Sequence, residues 1–348
     1  MNEVKRLLKR IPSSIWWILA LCFLLICLLP AVFTQLPGIF NFTETGQIGD
    51  TIGGIMGPFI AVVAALLTFI AFWVQFEANQ ELIRENQRNH FENRYYKMLD
   101  IHLDNVEQLN RRKGDETQDS IFHVWCLEIM NVFNILKMQS DLGGFVDYIR
   151  SEYGKEPTQA GFLDFLKQMK KSDDLFYQVI FEITYSYFFN KNFSSLRFED
   201  PKKTGYVKQF AALFSAYLTS QGQSGLNNLD VSVKSELLGR YYRHLFQMVK
   251  FVNDQPDNLY YENNWKKSFI SVLRSQMSDY EQLLLYYNAQ SSFGKSWDEN
   301  QYIVTYKLIK NIPWDAIAFC AGIAPIQRYK EEIKKAEDAG EKFFEREN

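Results

Sequence analysis

The chain has 348 residues and a formal net charge of −3, enough length for one or two domains with a real core. That balance offers no basic field to gather nucleic acid, so it argues against a nucleic-acid partner. The mean hydropathy of −0.23 is that of a soluble protein, but the apolar residues are segregated rather than spread.

No charged residue occurs from Ile11 to Thr43, or from Thr51 to Phe76. Each stretch exceeds the ~20 apolar residues that carry a helix across a bilayer. As a helix rising about 1.5 Å per residue, Thr51–Phe76 reaches roughly 39 Å. The composition therefore predicts a basic N-terminus over 1–14, a first membrane helix over 15–33, a short loop over 34–50 and a second membrane helix over 51–76. A helical domain follows over 77–348. A cleaved signal peptide is the rival for the first run. The sequence AVFTQ after Pro30 carries no small-x-small cleavage site, which favours a retained anchor.

Orientation follows from Lys5, Arg6, Lys9 and Arg10, which precede the first run. The 34–50 loop holds Glu44 and Asp50 and no Lys or Arg. The positive-inside rule places both chain ends in the cytoplasm and the loop outside. The lipid bilayer is thus the first expected partner, in the inner membrane of a bacterium, crossed twice. Beyond residue 76 the chain is mildly acidic. The four cysteines, Cys22, Cys27, Cys126 and Cys320, show neither metal-ligand nor secreted-framework spacing, as suits a reducing compartment.

Neither Pro nor Gly interrupts the chain between Pro58 and Gly114, so the second membrane helix is free to continue inward. Phe91, Tyr95, Met98, His102, Val106 and Leu109 recur at spacings of three and four, one stripe of an amphipathic helix. Further helices are expected over Ile121–Met138, Phe162–Met169, Leu175–Asn190, Tyr206–Thr219, Val231–Asn253 and Asn264–Gln290. Gly143–Gly144 and the NNLD near Asn228 read as breaks or caps. From Ile326 a charged helical tail follows. Alternating strand patterns are scarce, so the fold class is all-α: two N-terminal transmembrane helices in a hairpin, then a cytoplasmic helical domain.

Gly49, Gly53, Gly57, Ala61 and Ala65 fall four apart, a small-residue face that lets another helix approach closely in lipid. The partner is either the first helix of the same chain or a second copy, which would make a homo-oligomer with Asp50 ringing its outer mouth. Pro58 is expected in the first turns of this helix, where a lost backbone bond is easiest to satisfy.

Chemistry leaves few marks. The histidines are His90, His102, His123 and His244. No phosphate loop, HExxH, CxxC or GxSxG is present, so neither metal nor cofactor is expected. Arg84 and His90 have five residues between them, about the separation that HEPN-type ribonucleases use. In LGRYYRHLFQMVKFVND (238–254), Arg240, Arg243 and His244 sit beside an apolar helical face. In LRSQMSDYEQLLLYYN (273–288), Arg274, Gln276, Ser278 and Glu281 precede Leu283–Leu285, and Asn288 follows. Polar groups beside a buried face must be paired. They form either an interhelical network, for example Arg243 or Arg274 with Glu281, or a ligand or catalytic pocket. His244, Arg243, His90 and Arg84 are the catalytic candidates.

At these residues the sequence resembles a known family. The segments GDTIGGIMGPF, FENRYYKMLDIHLDNVEQL, YYRHLFQMVKFV and LRSQMSDYEQLLLYYN look, in that order, like the putative phage abortive infection proteins, the AbiC-like family. The resemblance implies a bacterial inner-membrane protein with two N-terminal helices, a cytoplasmic helical domain and a role in stopping infected cells from releasing phage. It carries no catalytic residue over. Arg240, Arg243, His244, Arg274, Gln276, Ser278, Glu281 and Asn288 are motif positions only. The expected function is membrane-anchored anti-phage defence without classical enzyme chemistry, triggered by a phage product or an infection-altered host protein. The alternatives are a membrane-tethered HEPN-like ribonuclease and a scaffold that docks a partner at the membrane.

Overall fold

The structure is a computed structural model. It describes residues 17–18, 20–21, 23–28, 45–111, 120–138, 142–153, 160–193, 196–198, 200–220, 234–313 and 324–345. These are helices and connections, with no strand among them. The chain divides into two compact units, Met1–Glu92 and Asn93–Asn348.

In the first unit, residues 17–18, 20–21 and 23–28 are helical. The rest of the expected first span lies outside the described residues, so a two-span hairpin is not established. The second span belongs to one long helix, α1 (Thr45–Arg111). It begins inside the expected loop, and Pro58 therefore stands well within the helix rather than in its first turns. Pro58 gives up the bond to the carbonyl four residues back. That carbonyl belongs to Gly54, where an added Cβ would meet nothing within 4 Å.

Ile60, Val62, Leu67, Phe69, Phe72 and Phe76 of α1 are each more than half exposed. Apolar groups in such number, uncovered around a helix, need a non-aqueous surrounding or a partner. Within the described residues this is the one helix long and apolar enough to cross a membrane.

The second unit starts with the last turns of α1. Here Tyr95, His102 and Leu109 of the predicted stripe are buried, Met98 and Val106 are half-buried, and Leu99, outside the stripe, is buried beside them. The unit continues with α2 (Ile121–Met138), α3 (Leu142–Tyr153), α4 (Ala160–Lys171), α5 (Asp173–Asn190), α6 (Pro201–Ser220) and α7 (Ser235–Asn253). After these come α8 (Trp265–Ser275), α9 (Asp279–Gln290), α10 (Ser296–Glu299), α11 (Tyr302–Tyr306), α12 (Pro325–Arg328) and α13 (Lys330–Asp338). Tyr95 donates to the Phe269 carbonyl at 2.7 Å and meets its ring edge-on, and the Arg94 guanidinium lies 4.7 Å from the Phe251 ring centre. These contacts tie the end of α1 to α7 and α8.

Two sequence expectations are corrected. Gly143–Gly144 does not break the chain but lies in the first turn of α3. Phe145 of that helix is driven edge-on against Phe210 and Phe214 of α6, and this burial outweighs the ~1 kcal/mol a helical glycine costs. The single helix expected over Asn264–Gln290 is two. Ser278 is extended (φ −65°, ψ 161°), and its hydroxyl accepts from the Glu281 N–H while Glu281 accepts from the Ser278 N–H. This reciprocal capping box starts a new helix.

α2 lies between α5 and α9 and packs on both. α5 is buried on every face from Val179 to Phe189, and α9 from Glu281 to Ala289. A helix surrounded on all sides is a core helix, and its polar side chains must find partners inside the protein.

Candidate functional site

Most polar groups of the two core helices are satisfied. On α5, Thr184 donates to the Ile180 carbonyl at 2.8 Å and Ser186 to the Asn192 carbonyl at 2.8 Å. Asn288 of α9 donates to the Tyr185 hydroxyl at 3.0 Å. Gln282 donates to the Met277 carbonyl and accepts from the Asn311 N–H. Glu281 accepts from Tyr241 at 3.0 Å, and from the Ser278 N–H and hydroxyl, each at 2.9 Å. Burial nevertheless raises its pKa above the ordinary value, and these bonds offset only part of that.

The network expected between Arg243 or Arg274 and Glu281 is therefore replaced by another. Glu281 is held by a tyrosine and by its own helix cap. Arg274 donates to the Tyr306 and Lys307 carbonyls at 3.2 Å and to Ser271 at 3.1 Å. It closes the end of α11, where Lys307 has φ 50°. The physical reason is the capping box: with Ser278 in extended backbone, Glu281 turns back on its own helix start.

Arg243 and Asn288, two of the motif positions, do come together. They line one hollow of about 310 Å³ with Tyr242, Phe293 and Trp297. Its wall needs a glycine. A Cβ on Gly294 would lie 2.2 Å from the Asn288 carbonyl oxygen, the same oxygen that takes bonds from the Ser291 N–H and hydroxyl. Gly294→Ala is expected to cost about 2–4 kcal/mol in chemical denaturation, because backbone rather than a side-chain tip must move. A change below ~0.5 kcal/mol, the range of neutral surface changes, would show that this turn yields freely.

The remaining sequence candidates are dispersed. His244 is half-buried and its Nε2 lies 2.9 Å from the Met98 carbonyl. Arg240 is exposed beside a hollow of about 20 Å³ that Asn105 and Gln108 also line. Gln276 is exposed and reaches Ser275. His90 and Arg84 are both exposed on α1, and Arg84 lies 3.9 Å from Glu81. Six residues along a helix turn the chain by ~240° beyond a full turn, so these two side chains leave the helix in different directions. Gly53 and Gly57 are in α1, and a Cβ at either meets nothing within 4 Å. Ala61 and Ala65 lie on α1, and Asp50 is exposed. Gly49 lies in α1 as well.

Three buried ionisable groups were not among the candidate site residues, although His102 was placed on the amphipathic stripe. Lys234 is 1% exposed, with Nζ 2.6 Å from Glu128 Oε2 and 4.7 Å from the Phe188 ring centre. His102 is fully buried, and neither ring nitrogen has a hydrogen-bond partner among the described residues. Burial, and secondarily the nearby His244, lower its pKa to about 4. Glu182 is 5% exposed, and its Oε2 has no partner among the described residues. Burial pushes its pKa up to about 7, and Ser292 and the charge of Lys295 offset only part of this. A lone glutamate within LFYQVIFEITYSYFF was the available signal.

Glu182 lines a second hollow of about 460 Å³, to whose wall the 288–299 segment also contributes. Arg197, Phe198, Lys203, Lys295 and Asp298 share its wall. Asp298 is engaged: it accepts from Gln290 and Arg328, each at 3.3 Å, and from Tyr329 at 3.2 Å. Asp200, also on the wall, accepts from the Lys202 N–H at the start of α6.

Comparison with known proteins bears on the α7–α11 region. The family model described as "Putative phage abortive infection protein" matches residues 234–317. The match covers YYRHLFQMVKFV and LRSQMSDYEQLLLYYN, and does not extend to the two earlier segments of the resemblance. Neither the curated proteins nor the solved structures yield a match. Most of the 310 Å³ hollow, Arg243 and Asn288 included, lies within the matched residues. The similarity to abortive infection proteins is thus borne out over residues 234–317.

Proposed function

We propose that this chain is a membrane-anchored phage-defence protein that acts by abortive infection from the inner face of a bacterial inner membrane. The match of residues 234–317 to the abortive infection family carries this reading. The exposed apolar surface of α1 between Ile60 and Phe76 supports the anchoring. In this reading both chain ends are cytoplasmic, as the N-terminal basic residues argue.

The second unit recognises a phage product or an infection-altered host component. A change in its packing passes along α1, which has no break from Thr45 to Arg111. The apolar part of that helix then changes its association in the membrane, either depolarising it or blocking phage assembly there. Small residues at Gly53 and Gly57 leave room for a second α1 in lipid.

The test is Gly53→Leu with Gly57→Leu in the full chain, scored by phage plating and by membrane potential during infection. The expected result is plating at the level of cells lacking the protein, with the potential retained. Undiminished protection with unchanged depolarisation would remove the membrane step.

A further inference from the structure

The hollow that Glu182 lines has three features in one place. At depth stands one acceptor, Oε2, without a partner among the described residues. On the wall stands the half-buried ring of Phe198. Round it stand Arg197, Lys203 and Lys295; the side chains of the first two are exposed and make no ion pair or hydrogen bond among the described residues. The acidic residues differ: Asp298 and Asp200 are engaged as described, and Glu299 is exposed. The volume of about 460 Å³ falls within the roughly 300–1,000 Å³ of small-molecule sites.

A buried carboxyl oxygen without a partner is costly and is kept where something meets it. A ligand that fits presents an N–H at one end, a flat face in the middle and negative charge at the other. A free amino acid carries the two ends and lacks the face. A nucleoside phosphate carries all three, with base stacking on an aromatic ring and phosphate held by Arg and Lys. We propose that this cleft binds a nucleoside phosphate: the base lies against Phe198 and donates an N–H to Glu182, and the phosphate sits among Arg197, Lys203 and Lys295. The inference stands apart from the defence reading, since a titration decides it and phage plating decides the other.

The experiment uses the full chain in detergent, titrated with AMP, CMP, GMP and UMP, and with ribose 5-phosphate and inorganic phosphate as controls. At least one nucleotide is expected to bind more than about tenfold tighter than ribose 5-phosphate, the size of one hydrogen bond to a charged group. Glu182→Leu keeps the volume, removes the acceptor and abolishes that preference. Arg197→Ala and Lys203→Ala weaken nucleotide and phosphate alike and reduce the salt dependence.

A base N–H selects the ionised carboxylate, so affinity rises as pH climbs from 6 to 8. Glu182→Gln flattens that rise apart from the second ionisation of the phosphate itself, near pH 6. The other charges facing the cleft, Arg197, Asp200, Lys203, Lys295, Asp298, Glu299 and Arg328, are common to both proteins. The proposal is overturned if no nucleotide binds more tightly than inorganic phosphate. It is equally overturned if the nucleotide preference survives Glu182→Leu.

Discussion

Glu182→Gln is expected to make the protein more stable at pH 8 by about 3 kcal/mol and to leave its stability unchanged near pH 4. The sign follows from linkage. Glu182 in the folded chain titrates near 7 instead of its ordinary 4.5, chiefly because burial penalises the carboxylate. Below 4.5 it is protonated in both states and costs nothing. Between 4.5 and 7 the unfolded chain releases the proton while the folded chain holds it, so stability falls as pH rises. Above 7 the loss is complete. At about 1.36 kcal/mol for each pH unit between the two titrations, the total is about 3 kcal/mol. Glutamine keeps the shape and cannot ionise, so the variant lacks the fall. Chemical denaturation of both proteins at several pH values is the measurement. Parallel profiles from pH 4 to 8 would show that Glu182 titrates normally and is reached by water.

His102→Leu has the opposite signature. His102 titrates near 4 in the folded chain instead of 6.5, because of its burial and the charge of His244. Tyr241 is its ring neighbour at 5.5 Å and in turn donates to Glu281. Above 6.5 the imidazole is neutral in both states. Between 6.5 and 4 the unfolded chain takes up a proton that the folded chain refuses, so stability is lost as pH falls. The full loss is again about 3 kcal/mol, and the variant should not show it. Leucine also removes two unpartnered nitrogens, so the variant gains a little at neutral pH.

The two windows overlap between 4.5 and 6.5, where one residue loses stability with rising pH and the other gains it. The wild type should therefore look flat there as far as these two groups are concerned. Each single variant uncovers the slope of the other, and the double variant is flat again if the sites are independent. A His102→Leu profile that follows the wild type through pH 4–6.5 would show that the imidazole is protonated inside the fold.

His102 could be placed by spacing alone. Its position in the stripe from Phe91 to Leu109 fixes it on the buried side of α1, since three- and four-residue spacing fixes which side chains share a face. Glu182 could not be placed this way. Helix α5 is buried on all faces, so periodicity in that stretch has no contrast between inside and outside, and only the oddity of one acid among apolar residues remains.

What the sequence determined by itself is what depends on local composition and spacing: the helical class, the apolar stretch of α1, its uninterrupted course to Arg111 and the buried stripe at its end. The family resemblance was equally legible over residues 234–317. What only the tertiary structure decided is which polar groups meet. Arg274 turned from Glu281 to the carbonyls closing α11, Glu281 took the Tyr241 hydroxyl of α7, and Arg243 and Asn288 came to line one hollow. These placements join residues far apart in the chain. Pair energies of a few kcal/mol at most, summed over many competing partners, leave no periodic trace in one sequence.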